Sequence, residues 1–453
     1  MDLATVAALA APPGQRLLAA ATAHDEDAHA RAAAGDAAAV DPLRAAAALR
    51  RAVPDADPAL AAAALTQVRL RRRARPRLGG LADHLLLTEE ALEQATRTVV
   101  ADLRATRYAA AGARQVADLG CGLGLDAAAF ARAGLRVTAV ERDAVTAALA
   151  AHNLAALGLG DAVDVVVGDV TEDDVLGTAL RGADAAFADP ARRDPRSRRD
   201  GRSRRVADPG AWSPPWSWVA RVAERVPRTA AKVAPGVPHE LTPGGGTATW
   251  TSVDGDLVEA ELAWPALAGP GARSRAVAVR TVAGGAPTVA VLDSPVALAD
   301  EPAPPVGAPG AWLVEPDDAV IRAGLVAALA ERLDGRLLDP RVALVAADGP
   351  RPRPGPLGRA FAVEEVLPYD LGALRAALVA GGVGHVVVKK RATSLDPDAV
   401  RRDLRLPPGR ASRVVVLARV GEHPWAFVCL PPPDRGGRGE GPGVPSESTV
   451  TRR

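Results

Sequence analysis

Val116-Ala117-Asp118-Leu119-Gly120-Cys121-Gly122-Leu123-Gly124 decides how this chain is read. A short apolar run carries an acidic residue near its end and passes into a loop with glycine at alternate positions. An alanine-rich stretch, about Leu125 to Ala133, follows. The order is strand, tight turn, helix. Glycine allows positive φ and lets backbone N–H groups approach a ligand that any Cβ would hold away. The N-terminus of the following helix turns its positive end to the same spot. The turn therefore suits a nucleotide-type ligand. Dinucleotide sites need G-x-G-x-x-G; this loop reads D-x-G-x-G-x-G and puts Leu125 where the third glycine of that fingerprint would fall.

The downstream sequence keeps the rhythm. Residues 135–140 predict a second buried strand ending in Glu141, 21 residues after Gly120 and placed to accept from both ribose hydroxyls. A helix from Ala144 to Leu157 comes next, and then a third strand from Val163 that closes on Asp169. A fourth strand, Ala183 to Ala188, runs into Asp189-Pro190-Ala191-Arg192-Arg193. A fifth, Ala230 to Val233, carries Lys232. Alternation of this kind builds a mostly parallel sheet flanked by helices, and such sheets bind ligands at the carboxyl ends of their strands. The expected fold is α/β, with a Rossmann-like core and an antiparallel late strand.

This series resembles class I S-adenosylmethionine-dependent methyltransferases. The resemblance implies S-adenosyl-L-methionine as cofactor, held by Asp118, Gly120, Cys121, Gly122 and Gly124 at its methionine and ribose parts. Glu141 would take the ribose hydroxyls and Asp169 the adenine amine. Cys121 is a small residue tolerated in a tight loop rather than a nucleophile. No histidine has metal-ligand spacing, so no metal is expected.

Asp189-Pro190-Ala191-Arg192 stands where methyltransferases of exocyclic base amines carry Asp or Asn, Pro, Pro and an aromatic. In those enzymes the carboxylate and a backbone carbonyl orient the amine while the aromatic stacks on the base. Asp189 and Pro190 are thus the expected catalytic pair, unless Asp189-Pro190 merely ends the strand. Ala191 and Arg192 replace the stacking half, and a guanidinium can stack on a base or grip a phosphate. Eight arginines between Arg192 and Arg205, diluted only by Asp194 and Asp200, form either a solvated loop or a clamp for phosphates. Lys232 is either a substrate contact on the same rim or a solvated strand-end lysine. Ser213-Pro214-Pro215-Trp216 spells a cytosine-amine motif, but it follows a loop and reads as a helix start with Ser213 as cap.

At 453 residues the chain holds two to three domains. A net charge of +1 gives no global field favouring nucleic acid, so any such binding must be local. Only three of the 55 basic residues are lysine (Lys232, Lys389 and Lys390), and the Ala, Gly and Pro abundance points to GC-rich coding, so arginine richness alone carries no weight. Two cysteines suit a reducing cytoplasm. No apolar run reaches transmembrane length, and Met1-Asp2 lacks the basic start of a signal peptide. The expectation is a cytoplasmic protein with no membrane partner.

Residues 1–110 read as a helical region, in which Asp41-Pro42 and Asp57-Pro58 each mark a cap and first-turn proline. A methyltransferase domain over 111–285 ends in a late β-ribbon, Thr247 to Trp264 and Ser274 to Val282. A Pro-rich link over 286–310 precedes an α/β region over 311–432. The Gly-, Pro- and Arg-rich tail 433–453 is expected to be disordered.

Within 360–430, Gly384-His385-Val386-Val387-Val388-Lys389-Lys390-Arg391 and the following Asp396-Pro397 and Arg401-Arg402 resemble the THUMP-like domain appended to a group of bacterial class I methyltransferases. That group also shows D-P-A-R-R at the fourth strand and T-x-E-A-L-E-Q after an arginine-rich helix, here Thr88 to Gln94. The resemblance implies an RNA-binding module, with Lys389, Lys390 and Arg391 joining Arg192, Arg193 and Lys232 as substrate contacts. The reading is an RNA methyltransferase. The rivals are a non-catalytic RNA-binding protein that keeps the fold, and a protein or small-molecule methyltransferase. The modified atom and the oligomeric state are not written in the sequence.

Overall fold

The computed structural model describes residues 1–190, 208–269, 271–282, 284–296 and 304–432, together with the backbone of 193–199 and 202–205. The chain divides into two compact units, Met1–Asp300 and Glu301–Arg453.

The first unit is built on β1 (Gln115–Leu119), β2 (Arg136–Glu141), β3 (Val163–Val167) and β4 (Ala185–Ala188). β5 (Arg193–Arg199) and β6 (Arg202–Arg205) make a separate antiparallel hairpin, where the sequence suggested a loop. The main sheet continues with β7 (Arg228–Val233), β8 (Thr247–Val253), β9 (Asp256–Ala263), β10 (Ser274–Arg280) and β11 (Thr288–Ser294). Its order is β3-β2-β1-β4-β7-β9-β8-β10-β11. The five strands from β3 to β7 are parallel, and β9 joins β7 antiparallel. β1 thus lies inside the sheet with helices on both faces. This explains why Val116, Ala117 and Leu119 are all apolar and fully buried.

β11 corrects the expected link over 286–310: Thr288–Ser294 pairs along its whole length with β10, so the sheet runs past residue 285. The link's composition suggested a loop because prolines stand on both sides of this strand, Pro287 before it and Pro295 after it.

The N-terminal helices Pro42–Ala52 and Pro58–Leu78 start as the sequence predicts. Asp41 accepts from the Leu43 N–H and Asp57 from the Leu60 N–H. Their buried face shares one core with Leu123, Leu125 and Leu149 of the methyltransferase part, so the helical region is part of the first unit. Arginines of the second helix staple it in place. Arg69 pairs with Glu89, Arg72 with Asp25 and Arg75 with Asp83, while Arg71 and Arg77 donate to the carbonyls of Leu85 and Leu92.

The second unit holds β12 (Trp312–Pro316), β13 (Gly335–Leu337), β14 (Val345–Ala347), β15 (Gly358–Pro368), β16 (Val383–Arg391), β17 (Ala411–Val420) and β18 (His423–Cys429). They form one sheet in the order β13-β14-β12-β15-β18-β17-β16. Helices Leu371–Ala380 and Pro397–Asp403 pack through Leu374, Leu378 and Val400 on the β16–β18 part. The helix expected over 317–333 is two, Asp318–Arg322 and Val326–Arg332, separated where Gly324 takes a φ of 74°. The tail 433–453 lies outside the described residues. Among the described residues no helix is long and apolar enough to cross a membrane.

Candidate active site

The glycine loop is tied to the neighbouring strand, since the N–H groups of Gly120 and Cys121 both donate to the Val140 carbonyl at 3.0 and 2.9 Å. Gly120, Gly122 and Gly124 take φ of 101°, 55° and 76°. A Cβ on Gly120 would sit 3.3 Å from the carbonyl oxygen of Asp189, so the loop and the end of β4 touch. A Cβ on Gly122 would point into open space, and here the loop is free to receive a ligand. Glu141, at the tip of β2, accepts from the Gly122 N–H at 3.1 Å and from the Asp143 N–H at 3.0 Å. Asp169 follows β3 and accepts from the N–H and hydroxyl of Thr171, bonds that hold its carboxyl below the ordinary range.

Asp118 is fully buried, and neither carboxylate oxygen has a hydrogen-bond partner among the described residues. Burial, and then the charges of Asp126 and Asp189, hold its pKa well above the ordinary carboxylate value. Cys121 is also buried, and burial together with Asp118 and Glu141 pushes its thiol well up. It is a neutral packing group.

Asp189 extends from β4 with its N–H donating to the Leu119 carbonyl. Its Oδ2 accepts from Lys232 Nζ at 2.8 Å. Lys232 is buried rather than open to the rim, and it also donates to Thr96 Oγ1 at 3.0 Å. Thr96 in turn donates to Asp126 Oδ2 at 2.7 Å. Asp126 and Glu259 both pair with Arg104, whose Nε donates to Glu261 at 2.9 Å and whose guanidinium lies 4.3 Å from the centre of the Phe187 ring. Arg107 also pairs with Glu261. Sequence reading missed this cluster. One signal was available: Glu259 and Glu261 share a face of β9 in an otherwise mostly apolar run, which asks for buried cations opposite.

Of the other expected contacts, Ala191 and Arg192 lie outside the described residues, and Arg193 opens β5. In the second unit Lys389 and Arg391 both pair with Glu315, and Lys389 sits over the Phe361 ring. Lys390 points to the other face and is exposed. β12 and β16 are four places apart in strand order, about 19 Å in a flat sheet, so the sheet curls to bring Glu315 to these cations. The helix expected after Ser213 is present as Trp216–Arg225, but Ser213 does not cap it; its hydroxyl accepts from Arg142.

Residues 83–178 match the methyltransferase small domain family, residues 358–431 the THUMP domain-like family and residues 2–74 a domain of unknown function. Two Mycobacterium tuberculosis proteins (strains H37Rv and CDC 1551), each described as an uncharacterized S-adenosylmethionine-dependent methyltransferase, are 36% identical to this chain over 379 residues. The match covers 80% of this chain and 95% of theirs. A crystal structure of a Porphyromonas gingivalis W83 protein assigned to the methyltransferases has a TM-score of 0.64. It covers 84% of this chain and 92% of its own at 20% identity, a likeness of fold. Fold and site define the class as a Rossmann-like class I methyltransferase carrying a THUMP-like domain. The chain belongs to the S-adenosylmethionine-dependent methyltransferase family, and S-adenosylmethionine is its cofactor.

Proposed function

We propose that this enzyme methylates RNA in the cytoplasm, with Asp189 and the Pro190 carbonyl orienting the acceptor. The observation that carries the reading is the approach of the Asp189 backbone carbonyl to Gly120, which brings the end of β4, with its carboxylate held by Lys232, up to the glycine loop.

The residues present fit the cofactor. Bound S-adenosylmethionine supplies an electrophilic methyl on a sulfonium and also carries an ammonium. The buried, unpartnered Asp118 beside an open glycine loop suits such a cation. Glu141 would take the ribose hydroxyls and Asp169 the adenine amine, while Gly120, Cys121, Gly122 and Gly124, whose N–H groups already donate within the chain, would give the cofactor room to approach rather than donors. On the acceptor side Asp189 and Pro190 accept hydrogens from the nucleophile and turn its lone pair toward the methyl; positioning supplies most of the rate. Arg192, together with Arg193 at the start of the arginine-rich hairpin, holds phosphates in this reading. Lys389, Lys390 and Arg391 serve the THUMP-like domain, and the match to that family supports RNA as partner. Both cysteines are free and buried, which suits a reducing compartment.

Transfer of labelled methyl to total RNA should fall by about 100-fold in Asp189→Ala, with S-adenosylhomocysteine binding retained. Intact transfer would overturn the active-site assignment. Full activity after deletion of 193–205 would redirect the acceptor toward a protein or small molecule.

A further inference from the structure

Lys232 has no spare hydrogen. An ammonium has three N–H donors and no acceptor, and three acceptors surround Nζ: Asp189 Oδ2 at 2.8 Å, Thr96 Oγ1 at 3.0 Å and the Gln94 carbonyl at 3.4 Å. The residue is 8% exposed. Burial pulls its pKa down, but Asp189, Glu259 and Asp126 outweigh burial and raise it. The amine is therefore charged and fully engaged, and it is available neither as a base nor to a substrate. Thr96 receives a hydrogen from Lys232, so its own goes to Asp126, which is held by Arg104. The direction of every hydrogen bond from Asp189 to Arg104 is fixed.

Two of these anchors lie outside the strands. Gln94 ends the helix Glu89–Gln94, the segment singled out in sequence as T-x-E-A-L-E-Q, and Thr96 lies two residues before the helix Thr98–Ala110. Asp189 Oδ1, by contrast, makes no hydrogen bond among the described residues, and the side chain is 27% exposed. One oxygen is thus occupied and the other is open.

We propose that Lys232 is a positioning residue: it fixes Asp189 with Oδ2 occupied and Oδ1 toward the acceptor, and it makes the segment 94–96 of the N-terminal region a working part of the methyl-transfer site. This rests on the assignment of Asp189 to the acceptor side. It gives the N-terminal helical region a role beyond packing. The anchor of the acceptor-side carboxylate comes from a segment that precedes the first strand of the methyltransferase sheet.

The test uses the full chain, labelled methyl transfer to total RNA, and calorimetric binding of S-adenosylhomocysteine. Lys232→Met should lower kcat by about 10- to 100-fold, with KM for RNA and the S-adenosylhomocysteine Kd each within about three-fold. Lys232→Arg should recover part of the loss. Thr96→Val keeps the shape and removes only the bridging hydroxyl; it should lower kcat by about three- to ten-fold. In an Asp189→Asn background Lys232→Met should cost less than about two-fold, because the two residues act as one unit.

Unchanged kcat in Lys232→Met and Thr96→Val overturns the proposal. So do losses that simply multiply in the double variant, and so does a rise confined to KM, which would make Lys232 a substrate contact. If Lys232→Met loses S-adenosylhomocysteine binding through misfolding, Thr96→Val decides alone. Normal transfer by Asp189→Ala is a different failure, since it removes the acceptor-site reading whatever Lys232 does.

Discussion

A buried carboxylate without a hydrogen bond is among the costlier groups a protein can hold, and Asp118 is one. Its raised pKa means the folded chain holds this proton more tightly than the unfolded chain does. The stability gained from the protonated form is complete below the ordinary carboxylate pKa and is lost as pH rises through the raised value. Asp118→Asn, neutral throughout, should therefore stabilise the cofactor-free protein at pH 8 by about 1–3 kcal/mol and flatten the fall in stability above pH 5. The same change should weaken cofactor binding. Thermal melts across pH 5–8 with and without S-adenosylhomocysteine check both; a variant that melts lower at pH 8 and binds normally would remove Asp118 from the cofactor site. The position of this residue was legible because a strand end followed by glycines is a local pattern. The pairing of Lys232 with Thr96, or of Arg104 with Glu259 and Glu261, was not: the partners lie 136, 155 and 157 residues apart, and no local pattern joins them.

At the scale of elements, strands flanked by helices were readable to within a few residues, because apolar runs between turn residues mark them. Position on a face was harder. Lys389, Lys390 and Arg391 alternate across β16, so the sequence offers a face that is basic only in part, and the curl of the sheet sets Glu315 against Lys389 and Arg391. Sequence carries the alternation but not the curl, and so Glu315 as partner of both cations was not legible. Glu315 engages both cations, so neither is open to an anion from outside the chain. Glu315→Gln should release both cations, tighten RNA binding by about three- to ten-fold at low salt and steepen the salt dependence by about one to two counterions. Filter binding at 50 to 200 mM salt reads this. A lowered melting temperature with unchanged RNA affinity would show that the trio is structural only.

For the molecule as a whole, composition marked the division into units, which falls at 300/301 inside the link over 286–310, but it gave that link the residues of β11. The Pro-rich run drew attention, and the seven residues of β11 ahead of it were absorbed into the link. They close the sheet: β10 pairs with β8 on one side and with β11 on the other, and Ala276, Ala278 and Val279 are buried in that arrangement. A chain ended at 285 would turn β10 into an edge with a row of unpaired backbone groups, a template for aggregation. A chain ended at 300 keeps β11 and the core shared by the N-terminal helices and the glycine loop. The second chain should stay monodisperse, melt cooperatively and bind S-adenosylhomocysteine within about three-fold of the full chain, since every residue assigned to the cofactor lies within it. It should bind RNA more weakly, because the THUMP-like unit is gone. The first should aggregate or melt at least several degrees lower. Light scattering, thermal melts and calorimetry on the pair separate the outcomes. Equal behaviour of the two chains would show that β11 is dispensable, and failure of the longer one to bind S-adenosylhomocysteine would show that the cofactor site needs the second unit.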